Sequence, residues 1–274
     1  MDDTLRQRFA EAAREPRPDL AELCLLIGAA ADPALDEAGT DAAQMELDRL
    51  AGLLPYGLTT AVDWAGATAE LLGGRCGFGG SPADYQRLES SLLHQVLWRR
   101  RGLPILLSVV WMEVVRRVGG PIHGVALPGH FIVGFGDPAG AFVPADPFDG
   151  GRRLGEEDVR LLVAGATGAA PSSVVLEPAD PLEIVLRVLN NIRAWASARP
   201  EQLATQLWTV ELALLLPHHP ARLRLERAQL LVRAGDFARG AVEMEAYADV
   251  LAEAEPSAAA AVRRQARAAR ALLN

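Results

Sequence analysis

The sequence predicts an α+β protein in which one buried helix lies against a small antiparallel sheet, with helices before and after it. Three observations carry this. The run "ILLSVVWMEVV" is apolar almost all round, the mark of a helix covered on most faces. Three short β-branched and aromatic runs follow it, "IHGVAL", "HFIVGF" and "AFVPAD", separated by Pro-Gly, Gly-Asp-Pro and Asp-Pro signals. On either side, apolar residues recur at helical spacing.

Residues 1–75 form the helical lead-in, where "LAELCLLIGAAA" and "DAAQMELDRLAGLL" carry the period. "LLGGRCGFGGSPADYQ" concentrates glycines and a proline and reads as a loop in which the backbone turns tightly. It neither follows a strand nor opens into a helix with a Lys-Ser/Thr pair, so it lacks the context of a phosphate-cradling loop. "RLESSLLHQVLWRRRG" resumes helical spacing through Leu92, Leu93, Val96 and Leu97 until Gly102 and Pro104 interrupt it. A first-turn proline loses no hydrogen bond, so Pro104 starts a new helix that runs to about 118 and stops at Gly119-Gly120. The three strands come next, paired antiparallel, and the core segment spans 76–178.

From 179 to 274 the period is helical again. "DPLEIVLRVLNNIRAWASARPEQLATQLWTVELALLLP" and "HHPARLRLERAQLLVRAGDFARGAVEMEAYADVLAEAEP" each read as a helix pair closed by proline. They resemble degenerate tetratricopeptide units, with Ala234-Gly235-Asp236-Phe237 on the repeat's turn pattern. Two such units need a neighbour to stack against.

The 274 residues leave room for a sizeable core and two packed units. A net charge of −8 argues against a nucleic-acid partner, which needs clustered Lys and Arg. The "RRR" of 99–101 and the Arg-rich tail near 263–270 read as solvated helix faces. Cys24 and Cys76 can make at most one bridge, and a chain this large does not need it, which fits a reducing, cytoplasmic setting. "MDDTLRQRFA" lacks the basic-then-apolar order of a signal peptide, and no apolar run approaches the roughly 20 residues of a membrane span, so no membrane partner is expected.

The chemistry-bearing residues lie in the strands. His130 follows Pro128-Gly129 and opens an apolar strand, and Asp146 ends the next one in "VPADPFDGG". Adjacent antiparallel strands can set the two side by side, and a carboxylate on one imidazole nitrogen fixes the tautomer and leaves the other nitrogen for a reacting group. A nucleophile at the head of the buried helix would complete such a site, because unpaired amide N–H groups and the helix dipole favour a thiolate and an oxyanion there.

From Gly77 to Leu154, "LLHQVLWRRRGLPILLSVVWMEVVRRVG", "GVALPGHFIV" and "DPFDGGRRL" resemble the SirB1-type branch of the transglutaminase-like superfamily, a papain-related fold. The likeness continues through "RVLNNI" into the tetratricopeptide-like tail. The resemblance maps the family's histidine to His130 and its aspartate to Asp146. Counting back from Gly119 by the length of the family's helix, it maps the nucleophilic cysteine to Pro104. Related sequences of the branch commonly read "GIPIS" at this point, and this chain has Leu106 where the serine often follows.

No obvious residue replaces the cysteine. Ser108 sits one turn into an apolar helix and is expected to back-bond to a carbonyl. Cys76 lies in the glycine-rich segment and could approach the site from outside the helix, whereas Cys24 reads as a small core residue. His94, Ser108 and Trp111 are candidate cleft-lining residues, His94 also reading as a partly exposed helix residue. His123 needs no role, and the adjacent His218 and His219 fall in an inter-helix turn, a poor geometry for one metal ion. Neither a metal nor a cofactor is called for.

For His130 and Asp146 two readings stand side by side: a hydrogen-bonded strut between strands, or an active base. Function divides likewise. One reading is a non-catalytic interaction module whose cleft accepts a peptide or protein segment. The other is an enzyme in which the pair acts as general base on a peptide or amide without forming an acyl-enzyme. An open cleft before His130 would favour chemistry, and one plugged by Leu103, Leu106 and Trp111 a scaffold.

Overall fold

The computed structural model describes residues 2–169 and 176–273; Met1, residues 170–175 and Asn274 lie outside it, so part of the expected 76–178 segment is not covered. The helical periods become α1 (Asp3–Ala12), α2 (Leu20–Ala31), α3 (Glu37–Ala51), α4 (Ala61–Thr68), α5 (Leu93–Arg99) and α6 (Pro104–Arg117). The strands follow as β1 (Ile122–Leu127), β2 (His130–Gly136), β3 (Phe142–Asp146) and β4 (Arg152–Arg153). Then come α7 (Glu156–Thr167), α8 (Pro181–Ser197), α9 (Leu203–Ala213), α10 (Arg222–Arg233), α11 (Phe237–Leu251) and α12 (Pro256–Ala271). The chain is α+β, as the sequence predicts.

Two compact units divide the chain, one of Arg17–Val188 and one of Met1–Pro16 with Leu189–Asn274. The expected lead-in is therefore split. Its first helix groups with the C-terminal helices, while α2, α3 and α4 belong with the sheet.

In the sheet-bearing unit, α6 is the centre. Pro104 occupies its first turn after an extended Leu103, and Ile105 through Val115 are all buried. Each fully buried Val, Leu or Ile there contributes about 1.5–3 kcal/mol relative to leaving it exposed. The helix ends where Gly119, at φ +74°, donates to Arg116 O and Gly120 donates to Val115 O, the paired closure that a left-handed glycine permits.

The four strands form an antiparallel meander in the order β1-β2-β3-β4. The short β4 was not expected. It pairs Ala145 with Arg153 and Asp146 with Arg152, closing the turn after β3. One face of the sheet packs on α6: a side chain at Gly124 would strike Phe131 and Met112. On the other, Val125, Leu127 and Ile132 form a cluster with Leu154, Val159 and Val163 of the α7 region. The free edge of β1 is covered where Ala179 donates to Gly124 O.

The glycine-rich stretch departs from expectation. Ala69–Arg75 is a π-helical continuation of α4, and Pro82–Gln86 is a 3-10 turn. Its glycines serve close approach more than tight turning. A Cβ at Gly73 would lie 1.9 Å from Gly150 O, and one at Gly80 1.9 Å from the Phe148 ring. Glycine is the residue that lets the 148–150 turn sit this close.

In the other unit, α10 and α11 are joined by the predicted turn, with Gly235 at φ +88° and the Asp236 side chain accepting from Arg239 N. Ala228, Met244, Ala248, Ala259, Val262 and Ala266 interleave as one core across α10, α11 and α12. Small residues at those positions let the helix axes come close. Among the described residues, no helix is long and apolar enough to cross a membrane.

Candidate functional site

The site begins with a hairpin. Leu127 pairs with His130 across Pro128-Gly129, and Gly129 takes φ +69°, as the second central residue of a Pro-Gly turn of type II geometry requires. His130 thereby becomes the first residue of β2. The register Val133–Ala145 sets Asp146 opposite Ile132, which leaves His130 as its diagonal neighbour on the same face.

The two side chains meet. His130 Nε2–H donates to Asp146 Oδ2 at 2.9 Å, and Asp146 Oδ1 accepts from Phe148 N–H at 2.9 Å. An ionised carboxylate can only accept, so in the neutral ring the proton sits on Nε2 and Nδ1 carries the lone pair. The side chains are 11% and 5% exposed, so water competes little for these bonds.

The turn after Asp146 is held from behind. Gly80 N–H donates to Phe148 O and Gly151 N–H to Asp146 O, while the Phe148 ring meets His130 edge-on at 5.9 Å and Tyr85 at 6.2 Å. Gly79 pairs in parallel with Arg101, just ahead of α6, so backbone contacts run from the imidazole's neighbour Phe148 to the head of the helix.

Pro104 stands buried at that head. Ser108, expected to bond back along its own helix, instead donates to Phe131 O on β2 at 3.4 Å and is wholly buried. Trp111 is buried too, edge-on to Phe78 at 5.8 Å, with its indole N–H unpartnered. Neither can line an open cleft, which corrects that expectation: α6 is covered on every face, and both positions point into its packing. Leu103 and Leu106 are also buried.

The other candidates scatter. His94 lines a separate cleft of about 610 Å³ with Leu35, Glu46 and Trp98, and lies 3.4 Å from Asp32; burial pushes its pKa below the usual range. Cys24 is buried in α2, where desolvation and the charge of Glu113 push its thiol well up. Cys76 is half-buried at the end of the π-helical stretch, and among the described residues neither thiol is hydrogen-bonded to His130. His123 is buried on β1 beside Phe142, both ring nitrogens unpartnered. In the other unit, His219 Nδ1 meets Leu216 O at 2.8 Å in the turn after α9.

Two residues of this neighbourhood escaped sequence reasoning. Arg187 Nη2 donates to both Leu127 O and His130 O, each at 2.6 Å, clasping the hairpin that carries the imidazole. Tyr85 lies within electrostatic reach of Asp146 and Arg187; burial, then the Asp146 charge, raises its pKa. The "RVLNNI" motif contained Arg187 but gave no reason to aim it at the hairpin, and Tyr85 fell in the segment read as loop.

A family model described as the transglutaminase-like superfamily matches residues 41–190, and one described as tetratricopeptide repeat matches 192–274. A UPF0162 protein of Xylella fastidiosa is 38% identical over 125 residues, 44% of this chain and 44% of its own length. A UPF0162 protein of Pseudomonas aeruginosa is 38% identical over 117 residues, 42% of each chain. F-box only protein 21 of Mus musculus is 28% identical over 155 residues, 54% of this chain and 24% of its own. The matched region spans less than half the length of each of these relatives.

Proposed function

The chain belongs to the transglutaminase-like superfamily, and from that premise we propose that it is a peptide- or protein-binding module that forms no acyl-enzyme. The observation that carries this is Pro104 at the first turn of α6, the position to which the resemblance maps the attacking sulfur, with neither Cys24 nor Cys76 bonded to His130 among the described residues. A proline there offers no nucleophile and no N–H. The tetratricopeptide match supports a second recognition surface, because stacked helix pairs present concave faces to partner segments. The two free thiols fit a cytoplasmic setting.

The test is to incubate the full chain with blocked peptides and amide substrates while measuring both binding and turnover. Saturable binding without product supports the module. Turnover abolished by His130→Ala overturns it.

One observation favours a second reading. Asp146 grips Nε2 with one oxygen and Phe148 N–H with the other, which is how a general base is oriented and leaves Nδ1 available. In that reading water or a substrate group is deprotonated beside a carbonyl. A rate that stays level across the histidine titration range would exclude it.

A further inference from the structure

Arg187 holds the hairpin with only part of its donor set. A guanidinium has five N–H groups, and Nη2 spends its two on Leu127 O and His130 O. Nε and Nη1 make no hydrogen bond among the described residues, and neither is among the buried unpartnered atoms, so solvent or a ligand reaches them. Among the described residues, no carboxylate forms an ion pair with this cation. The Arg187 guanidinium lies 5.6 Å over the Phe131 ring, and the ionisable side chain that acts on its charge is Tyr85. The Asp146 carboxylate, which holds the ring of His130, is already committed to that ring and to Phe148 N–H. A half-buried cation with open donors, two carbonyl bonds and no counter-charge is set up to receive an anion.

We propose that Arg187 forms a carboxylate-reading subsite next to His130, bordered by Tyr85, whose ring packs against the Phe148 ring that meets His130, so that the peptide taken by this site carries an acidic group. This rests on the peptide-binding reading above and specifies it. The carboxylate accepts from Nε–H and Nη1–H of Arg187, the phenol of Tyr85 adds a further donor, and the Nη2 bonds keep the guanidinium fixed to the strand that opens with His130. Arg187 is thus both a ligand-binding residue and a positioning residue for the imidazole. A side-chain carboxylate and a C-terminal carboxylate share this chemistry, and the peptides below tell them apart.

The experiment uses the full chain labelled at histidine ring carbons. The His130 resonance, assigned by its loss in His130→Ala, is followed while three peptides are titrated: acetyl-Gly-Glu-Gly-amide, acetyl-Gly-Gly with a free C-terminus, and the neutral acetyl-Gly-Gly-amide. The expected result is that at least one carboxylate peptide moves the His130 signal at concentrations about tenfold or more below the neutral one, as a charge-assisted hydrogen bond implies. Arg187→Gln should erase that preference and Arg187→Lys retain part of it. Should Arg187→Gln fail to fold, Tyr85→Phe leaves the hairpin bonds untouched and should weaken the acidic peptide alone. Equal binding of acidic and neutral peptides, or a preference that survives both Arg187→Gln and Tyr85→Phe, overturns the subsite while leaving peptide binding intact. No binding of any peptide, or turnover, tells instead against the module reading and the subsite with it.

Discussion

Replacing Asp146 separates what the His130–Asp146 pair does for the fold from what it does for chemistry. Asp146 is 3% exposed and accepts two hydrogen bonds, from Phe148 N–H and His130 Nε2–H, each at 2.9 Å. Asp146→Ala leaves both donors without an acceptor in a place water barely enters. Unmade buried bonds cost about 1–3 kcal/mol each, offset in part by no longer burying a carboxylate, so a net loss of about 2–4 kcal/mol is expected. Asp146→Asn keeps one oxygen for Phe148 N–H but turns an NH₂ group towards the imidazole, which answers by moving its proton to Nδ1. That exchange should cost about 1 kcal/mol. In thermal melts a unit of this size loses about 2–4 °C per kcal/mol, so Ala should melt about 5–15 °C below wild type and Asn only a few degrees below. His130→Ala added to Asp146→Ala should cost much less than His130→Ala alone, with about 1–2 kcal/mol of coupling. If Ala and Asn melt together, or the cycle shows no coupling, the pair is not the buried strut described above. The Asn variant also reaches function, since its reversed tautomer removes the lone pair from Nδ1. A general base would lose its activity in a protein that still folds, whereas a binding module would keep its ligand.

Three further outcomes follow from the packing. Burial, reinforced by the Arg116 charge and opposed by Asp137, lowers the pKa of His123 in the folded chain, so the unfolded chain binds the proton more readily. Stability should therefore be full above an unfolded pKa of about 6.5 and be lost as pH falls through the folded value, and urea midpoints at pH 7.5, 6.5 and 5.5 should fall less in His123→Phe. His94, shifted the same way, contributes to the slope that remains, and an identical slope in the variant would refute the assignment. Gly73→Ala, whose Cβ would lie 1.9 Å from Gly150 O, should destabilise by about 1–3 kcal/mol because backbone must move; a neutral result by urea unfolding would show that the turn gives way freely. A thiol reagent should modify Cys76 in the folded protein and Cys24 only after unfolding, and simultaneous modification would contradict the burial of α2.

Much of the site could be read from residue types because the features that fix it are local. Pro104 and Gly119 bracket α6, and the Pro128-Gly129 turn sets the first residue of β2. With the strand order given, the diagonal placement of His130 and Asp146 follows from a side-chain period of two. What could not be read depends on contacts distant in sequence. Arg187 reaches a hairpin 57 residues earlier, and its helical spacing gave no hint of direction. The glycines at 73 and 80 signalled a loop because glycine marks both turns and close approaches, and only the 148–150 turn packed on them tells which. Ser108 misled in the same way: its hydroxyl had a carbonyl within its own helix, yet the one it uses lies on β2.

Three residues hold the imidazole in place. Asp146 fixes Nε2, Arg187 fixes the carbonyls on both sides of the hairpin, and Phe148, seated by Gly80, fixes the ring's edge. None of these contacts involves Pro104. A residue other than cysteine at the head of the helix therefore leaves these contacts in place, which is why the geometry alone looks the same for a strut and for a catalyst. The distinction lies in Nδ1 and in what Arg187 draws alongside it. If an acidic peptide occupies that space, the pair works as part of a recognition surface, its bonds serving to hold the ring beside a fixed cation whichever nitrogen carries the proton. If water occupies it instead and is deprotonated there, the same orientation is a catalytic one, and the proton position in Asp146→Asn divides the two alongside turnover and its pH dependence.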